Sequence, residues 1–176
     1  TSTNTYNAIQ MVSKSTLGRG LIVGLGSIGQ RHLNNVRQMH TDMDLIVHRH
    51  QKHKDSKIEG IRYITYDLDE ALDLEPDFAI ICNPSPFHID SALKIADRGV
   101  HLLIEKPISS STEGVEELVA LAKERKIKLM VGYNLRFLDS LNFFRKAVQD
   151  LIVGEVFSIK ADVGQNIQYW RENQDY

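Results

Sequence analysis

From Leu21 onward the chain alternates short apolar runs with amphipathic stretches, and few architectures accept that alternation. The runs are Gly20-Leu21-Ile22-Val23, Leu45-Ile46-Val47, Arg62-Tyr63-Ile64, Phe78-Ala79-Ile80-Ile81-Cys82, His101-Leu102-Leu103-Ile104 and Lys128-Leu129-Met130-Val131. Runs this short and this apolar read as strands, most of them buried on both faces. Between them, Ile28 to Met39, Ile89 to Arg98 and Thr112 to Arg125 space their apolar side chains at helical intervals. Ser111 or Thr112 is placed to cap the last of these, with Glu116 and Glu117 in its first turn and Lys123 and Arg125 in its last. Strand and helix in alternation, joined by right-handed crossovers, predict an α/β fold with a doubly wound parallel sheet.

The pattern changes after Val131. Leu138 to Gln149 reads as a helix, and Val156 to Val163 alternates strictly, with Phe157, Ile159, Ala161 and Val163 on one face. That alternation is expected of a half-buried strand in a different sheet. Only 13 residues follow it, so the second domain, of α+β type, is expected to be truncated. The expected organisation is a polar, flexible tail over 1–18, a sheet domain over 19–136, and a linker helix with one strand of an incomplete domain over 137–176.

Composition excludes several classes of function. A net charge of −2 across 176 residues offers no basic field for nucleic acid. No apolar run approaches the length of a membrane span, and no charged-then-apolar leader opens the chain, so the expected location is the cytoplasm and no membrane partner is expected. Cys82, the one cysteine, lies in an apolar run and reads as core rather than as a ligand or disulfide partner. No grouping of residues suggests a metal site.

The most informative turn is Gly24-Leu25-Gly26-Ser27-Ile28-Gly29, which follows an apolar strand and opens an amphipathic helix. In that context the spacing is a dinucleotide fingerprint. The first glycine permits the tight turn, the second lets the backbone approach a pyrophosphate, and the third lets the helix pack closely on the strand. Backbone N–H groups at Ser27 to Gly29, with the helix dipole, would then stabilise the anionic phosphates. The domain is therefore expected to be of the Rossmann type.

An acidic residue is expected about 20 residues further on, at the end of the second strand, to hold the adenosine ribose. The segment there reads Val47-His48-Arg49-His50-Gln51-Lys52, with no acid. Arg49 and Lys52 are instead suited to a 2′-phosphate, which favours NADP, with NAD the alternative. A solvated basic loop would look the same.

Strand four ends in Asn83-Pro84-Ser85-Pro86-Phe87-His88 and strand five in Glu105-Lys106-Pro107. Ligands bind outside the carboxyl ends of such strands, so Asn83 and Lys106 should share a crevice with the glycine turn. A partly desolvated lysine there could transfer a proton or polarise a substrate oxygen.

Taken together, the glycine turn, Asn83-Pro84 with His88, Glu105-Lys106-Pro107 and Gly132-Tyr133-Asn134-Leu135-Arg136-Phe137 resemble the glucose-fructose oxidoreductase and inositol dehydrogenase family, Gfo/Idh/MocA. The likeness runs from about Gly20 to the end. It implies hydride transfer between a nicotinamide dinucleotide and a hydroxyl or keto carbon of a sugar, polyol or sugar nucleotide. It further implies that Lys106 is catalytic, binding and polarising the reacting oxygen, and that Glu105 and Asn83 position the nicotinamide ribose. Pro84 and His88 would line the cofactor cleft, and Asn134 and Arg136 would lie near the nicotinamide end. Family members carry a complete second domain with a catalytic histidine, and no histidine follows His101 here. Two other readings stay open: a non-catalytic dinucleotide-binding module with a partner surface on Phe157, Ile159, Ala161 and Val163, and a flavin or methyl-donor nucleotide at the same turn. Trp170 could cover the nicotinamide or pack on that apolar face. Assembly, including a homo-oligomer, is left open.

Overall fold

A computed structural model describes residues 18–50, 58 and 61–164. The expected tail up to residue 17, Lys52 and Trp170 lie outside the described residues. Six strands form one parallel sheet: β1 (Arg19–Val23), β2 (Asp44–His48), β3 (Tyr63–Thr65), β4 (Phe78–Ile81), β5 (His101–Ile104) and β6 (Leu129–Val131). Their spatial order is β3-β2-β1-β4-β5-β6. The chain builds outward from β1 to β3, then crosses back to lay β4 against the other side of β1. That reversal leaves a crevice at the carboxyl ends of β1 and β4.

Each core strand is apolar on both faces because helices or loops cover both. Leu21, Val23, Ile46, Ala79, Ile81 and Ile104 point to one side, where they meet α3 (His88–Asp97) and α4 (Val115–Glu124) through Ala92, Ile95 and Leu118. Ile22, Val47, Ile80 and Cys82 point to the other, against Leu33 and Val36 of α1 (Ser27–Met39). Burial fades toward β6, where Met130 is exposed, so the expected two-sided burial holds for the central strands only.

Helix α1 forms because Gly29, His32, Leu33 and Val36 make one buried stripe and extended backbone at Gly26 precedes it. It ends at His40, whose N–H donates to Val36 O at 2.8 Å. The short α2 (Leu68–Leu72) was not expected from sequence; Asp67 caps it, accepting from the Asp69 N–H at 2.8 Å. Helix α4 starts later than expected, and neither Ser111 nor Thr112 caps it. Its N-cap is Gly114 at φ +72°, where a Cβ would stand 2.6 Å from Ile89 Cγ2. Close packing of α3 on α4 needs glycine there, and its left-handed backbone fixes the helix start.

The chain divides into two compact units, Thr1–Leu135 and Arg136–Tyr176. The second contains α5 (Asp139–Gln149), close to the expected helix. Val156 to Val163, expected as a strand, carries no strand structure. Phe157 is 94% exposed and Val163 96%. An isolated strand leaves its backbone groups without a ladder, and among the described residues of the second unit no other strand stands to pair with it.

The two units should answer mutation differently. Leu33→Ala is expected to destabilise by about 2–5 kcal/mol in chemical denaturation, since the side chain is fully buried. Phe157→Ala should stay within about 0.5 kcal/mol.

Candidate cofactor site

The glycine turn carries β1 into α1 beside the end of β4. Gly24 has φ +87° and donates its N–H to His48 O at 2.9 Å. A Cβ on it would lie 2.7 Å from the Asn83 backbone nitrogen, so the ends of β1 and β4 approach this closely only around glycine. Gly29 is tighter still, because its Cβ would meet Gly24 O at 2.1 Å. Gly26 differs from both. Its φ of −71° and ψ of −171° suit any residue, and a Cβ there meets nothing within 4 Å. Two of the glycines are demanded by the packing of the chain itself, and the middle one is not.

Gly26 is also the N-cap of α1, and no side chain caps that end. The first turn contains no acidic residue, and Ser27 is exposed while Ile28 is partly buried. Unblocked N–H groups, a helix dipole and open space over Gly26 fit an anionic phosphate.

Glu105 follows β5 and turns back toward α1. Its Oε1 lies 2.7 Å from His32 Nε2, and its Oε2 accepts the Lys106 N–H at 3.2 Å. Burial alone would raise this carboxyl, but the His32 hydrogen bond and charge, with the Lys106 N–H and charge, outweigh it and hold Glu105 below the ordinary glutamate value. Lys106 is exposed, not partly desolvated as expected. The Lys106–Pro107 peptide is cis. Beneath the turn, burial and the Glu105 charge push the Cys82 thiol up to about 12, in keeping with a core cysteine.

Asn83 donates from Nδ2 to Ser91 Oγ at 3.0 Å, while its buried Oδ1 has no partner. Pro84 is exposed beside it. His88, expected to line the cleft, is 2% exposed, with Nε2 2.7 Å from Asn83 O and Nδ1 2.9 Å from Pro107 O. Both ring nitrogens face carbonyl oxygens, so a ring carrying both N–H groups ties the two loops together and offers neither nitrogen to a cofactor. Sequence reading also missed His32. Its signal was its place on the same helical stripe as Gly29, Leu33 and Val36, where a polar side chain needs a partner.

At the end of β2, Arg49 is partly exposed and donates its backbone N–H to Thr65 O at 3.0 Å. The adjacent His48 titrates below the ordinary histidine value, chiefly from burial, with Asp67 opposing and His50 adding to the shift. Asn134 opens a 3-10 turn (Asn134–Phe137) just after β6, with its N–H on Gly132 O at 3.0 Å. Arg136 belongs to the second unit. Among the described residues no group of histidine, cysteine or acidic side chains could hold a metal, and no helix is long and apolar enough to cross a membrane.

Comparison with known proteins decides the family. Residues 19–133 match the GFO_IDH_MocA family, described as an oxidoreductase family with an NAD-binding Rossmann fold. The chain belongs to the Gfo/Idh/MocA oxidoreductase family. It is 29% identical over 145 residues to the uncharacterized oxidoreductase YrbE of Bacillus subtilis, covering 79% of this chain and 42% of YrbE. It is 36% identical over 97 residues to inositol 2-dehydrogenase of Rhizobium meliloti, covering 55% of this chain and 29% of that protein. Among solved structures, scyllo-inositol dehydrogenase of Lactobacillus casei with bound NAD(H) and scyllo-inositol superposes with a TM-score of 0.71 at 25% identity, over 79% of this chain and 43% of that one. The WlbA dehydrogenase of Chromobacterium violaceum, in complex with NADH and UDP-GlcNAcA, superposes at 0.72 with 23% identity, over 82% and 43%. This Gfo/Idh/MocA chain thus spans less than half the length of these relatives.

Two measurements follow from the geometry. Gly29→Ala should destabilise by at least about 3 kcal/mol, through the clash with Gly24 O, while Gly26→Ala should leave stability unchanged or raise it by up to about 1 kcal/mol. Because the Glu105 pKa is lowered on folding, its contribution is present above the unfolded glutamate pKa and is lost as pH falls through the folded value. Glu105→Gln should therefore lower stability at neutral pH and flatten its loss on acidification, read from urea midpoints across that range.

Proposed function

We propose that the Gly24–Gly29 turn holds the pyrophosphate of a nicotinamide dinucleotide, NADP in preference to NAD, in an oxidoreductase acting on a hydroxyl or keto carbon of a sugar, polyol or sugar nucleotide. The observation that carries this reading is the middle glycine. Gly26 lies over open space at an uncapped helix start, so its missing side chain is accounted for by a ligand rather than by the chain. Names borne by similar proteins, inositol 2-dehydrogenase among them, support the substrate class.

The bound dinucleotide supplies or accepts the hydride at its nicotinamide ring. The chain's own groups do the rest. Gly26, Ser27, Ile28 and Gly29 receive the phosphates on their backbone, with Gly24 fixing the turn. Asn83, Pro84, Glu105 and Asn134 stand at the carboxyl ends of β4, β5 and β6 to orient the nicotinamide half. Lys106, exposed beside Glu105, holds the reacting oxygen of the substrate and stabilises the negative charge that grows there as its proton leaves. Arg49 stands where an acid would otherwise meet the ribose, and its guanidinium suits a 2′-phosphate. The buried thiol of Cys82 accords with the cytoplasm as the setting.

Dissociation constants for NADPH and NADH test the cofactor. NADPH should bind at least about tenfold more tightly, and Arg49→Ala should remove most of that difference, as expected for a charge-assisted bond of about 1.5–3 kcal/mol. Equal affinities, or a preference for NADH, would contradict the NADP assignment. Lys106→Ala should lower turnover on a panel of sugars and polyols by about a hundredfold or more while keeping dinucleotide affinity within about tenfold. Loss of cofactor binding alone would sink the role given to Lys106.

A further inference from the structure

Among the described residues only three polar side chains are buried: His32, Thr65 and His88. The two histidines arrive from different helices on the neighbours of one exposed residue. His32, on α1, reaches Glu105 Oε1 at 2.7 Å, immediately before Lys106. His88, the first residue of α3, reaches Pro107 O at 2.9 Å, immediately after Lys106, and Asn83 O at 2.7 Å within its own β4–α3 connection.

We propose that His32 and His88 are positioning residues that hold the Lys106-bearing turn from both sides and lock it to the helix carrying the glycine turn. Apolar side chains would fill both places more cheaply, since a buried polar group must find partners to offset its lost hydration. The partners these rings find are the residues on either side of Lys106. Lys106 itself has one hydrogen bond among those described, from its N–H to Glu105 Oε2, so its neighbours fix its backbone. Through His32 the turn is attached to α1 five residues after Ser27, and through His88 to the end of β4 at Asn83. Movement of the phosphate-facing helix end therefore carries the Lys106 turn with it. The importance of that coupling for chemistry rests on the role proposed for Lys106; the tether itself does not.

Amide geometry separates a tether from mere packing. A glutamine places its N–H₂ near the position of histidine Nε2, and an asparagine places its own near Nδ1. His32 uses Nε2, so His32→Gln should keep the bond to Glu105 and His32→Asn should break it. Backbone order parameters of the Lys106 amide, measured by NMR relaxation on the whole chain, should be about 0.85 in the wild type and in His32→Gln. They should fall toward about 0.6 in His32→Asn and in His88→Gln, which gives up Pro107 O. If His32→Asn does not fold, His32→Leu removes the same bond while leaving the Glu105 Oε2–Lys106 N–H bond in place, and should show the same fall. Equal order at Lys106 in His32→Gln and His32→Asn, or an unchanged value in both His88→Gln and His32→Leu, would overturn the tether. Dinucleotide affinity of the wild-type chain, measured alongside, bears on the proposed function and not on these values.

Discussion

The contact between the Gly29 α-carbon and the Gly24 carbonyl sets the rest of the site. It lets α1 start hard against the end of β1, with 2.1 Å between that oxygen and the place a Cβ would occupy. Because β1 is flanked by β2 on one side and β4 on the other, the start of α1 then sits at the point where the order of the strands reverses. Gly24 completes the arrangement by letting Asn83 come close behind it. Everything assigned to the cofactor depends on this one approach of helix to strand.

Electrostatics then decide which kind of ligand the crevice takes. The helix start is uncapped and free of acids, which favours an anion. Glu105 has its two oxygens engaged by His32 and the Lys106 N–H, so its charge is directed into the protein. At the far end, Arg49 stands at the strand end where an acid would repel a phosphate. His48 beside it adds little positive charge, since burial favours its neutral form.

Much of this was legible in the residues, and the exceptions have physical causes. The six strands and the helices around Leu33, Ile95 and Leu118 follow from local periodicity, which a parallel sheet covered on both faces enforces. The start of α4 did not, because a long-range contact between Gly114 and Ile89 overrode the local preference of Ser111 and Thr112 to cap. Val156 to Val163 has the alternation of a strand but not the neighbours, and a pattern alone makes no ladder. His88 was expected to line the cofactor cleft, and its buried ring instead faces Asn83 O and Pro107 O, a direction that depends on where the Pro107 carbonyl falls. His32 was passed over although it lay on the buried stripe of its helix. Arg49 and Lys106 were singled out from their places at strand ends, and the structure leaves Arg49 partly exposed and Lys106 exposed there.

The central claim is that the open glycine turn receives a nicotinamide dinucleotide. Amide NMR of the chain titrated with NADPH, and separately with NADH, tests it most directly. The account predicts saturating shifts centred on Gly26, Ser27, Ile28 and Gly29, with a second group at Glu105 and Lys106, and loss of both in Gly26→Val at unchanged stability. Saturation with neither nucleotide, or shifts centred away from that turn, would contradict it.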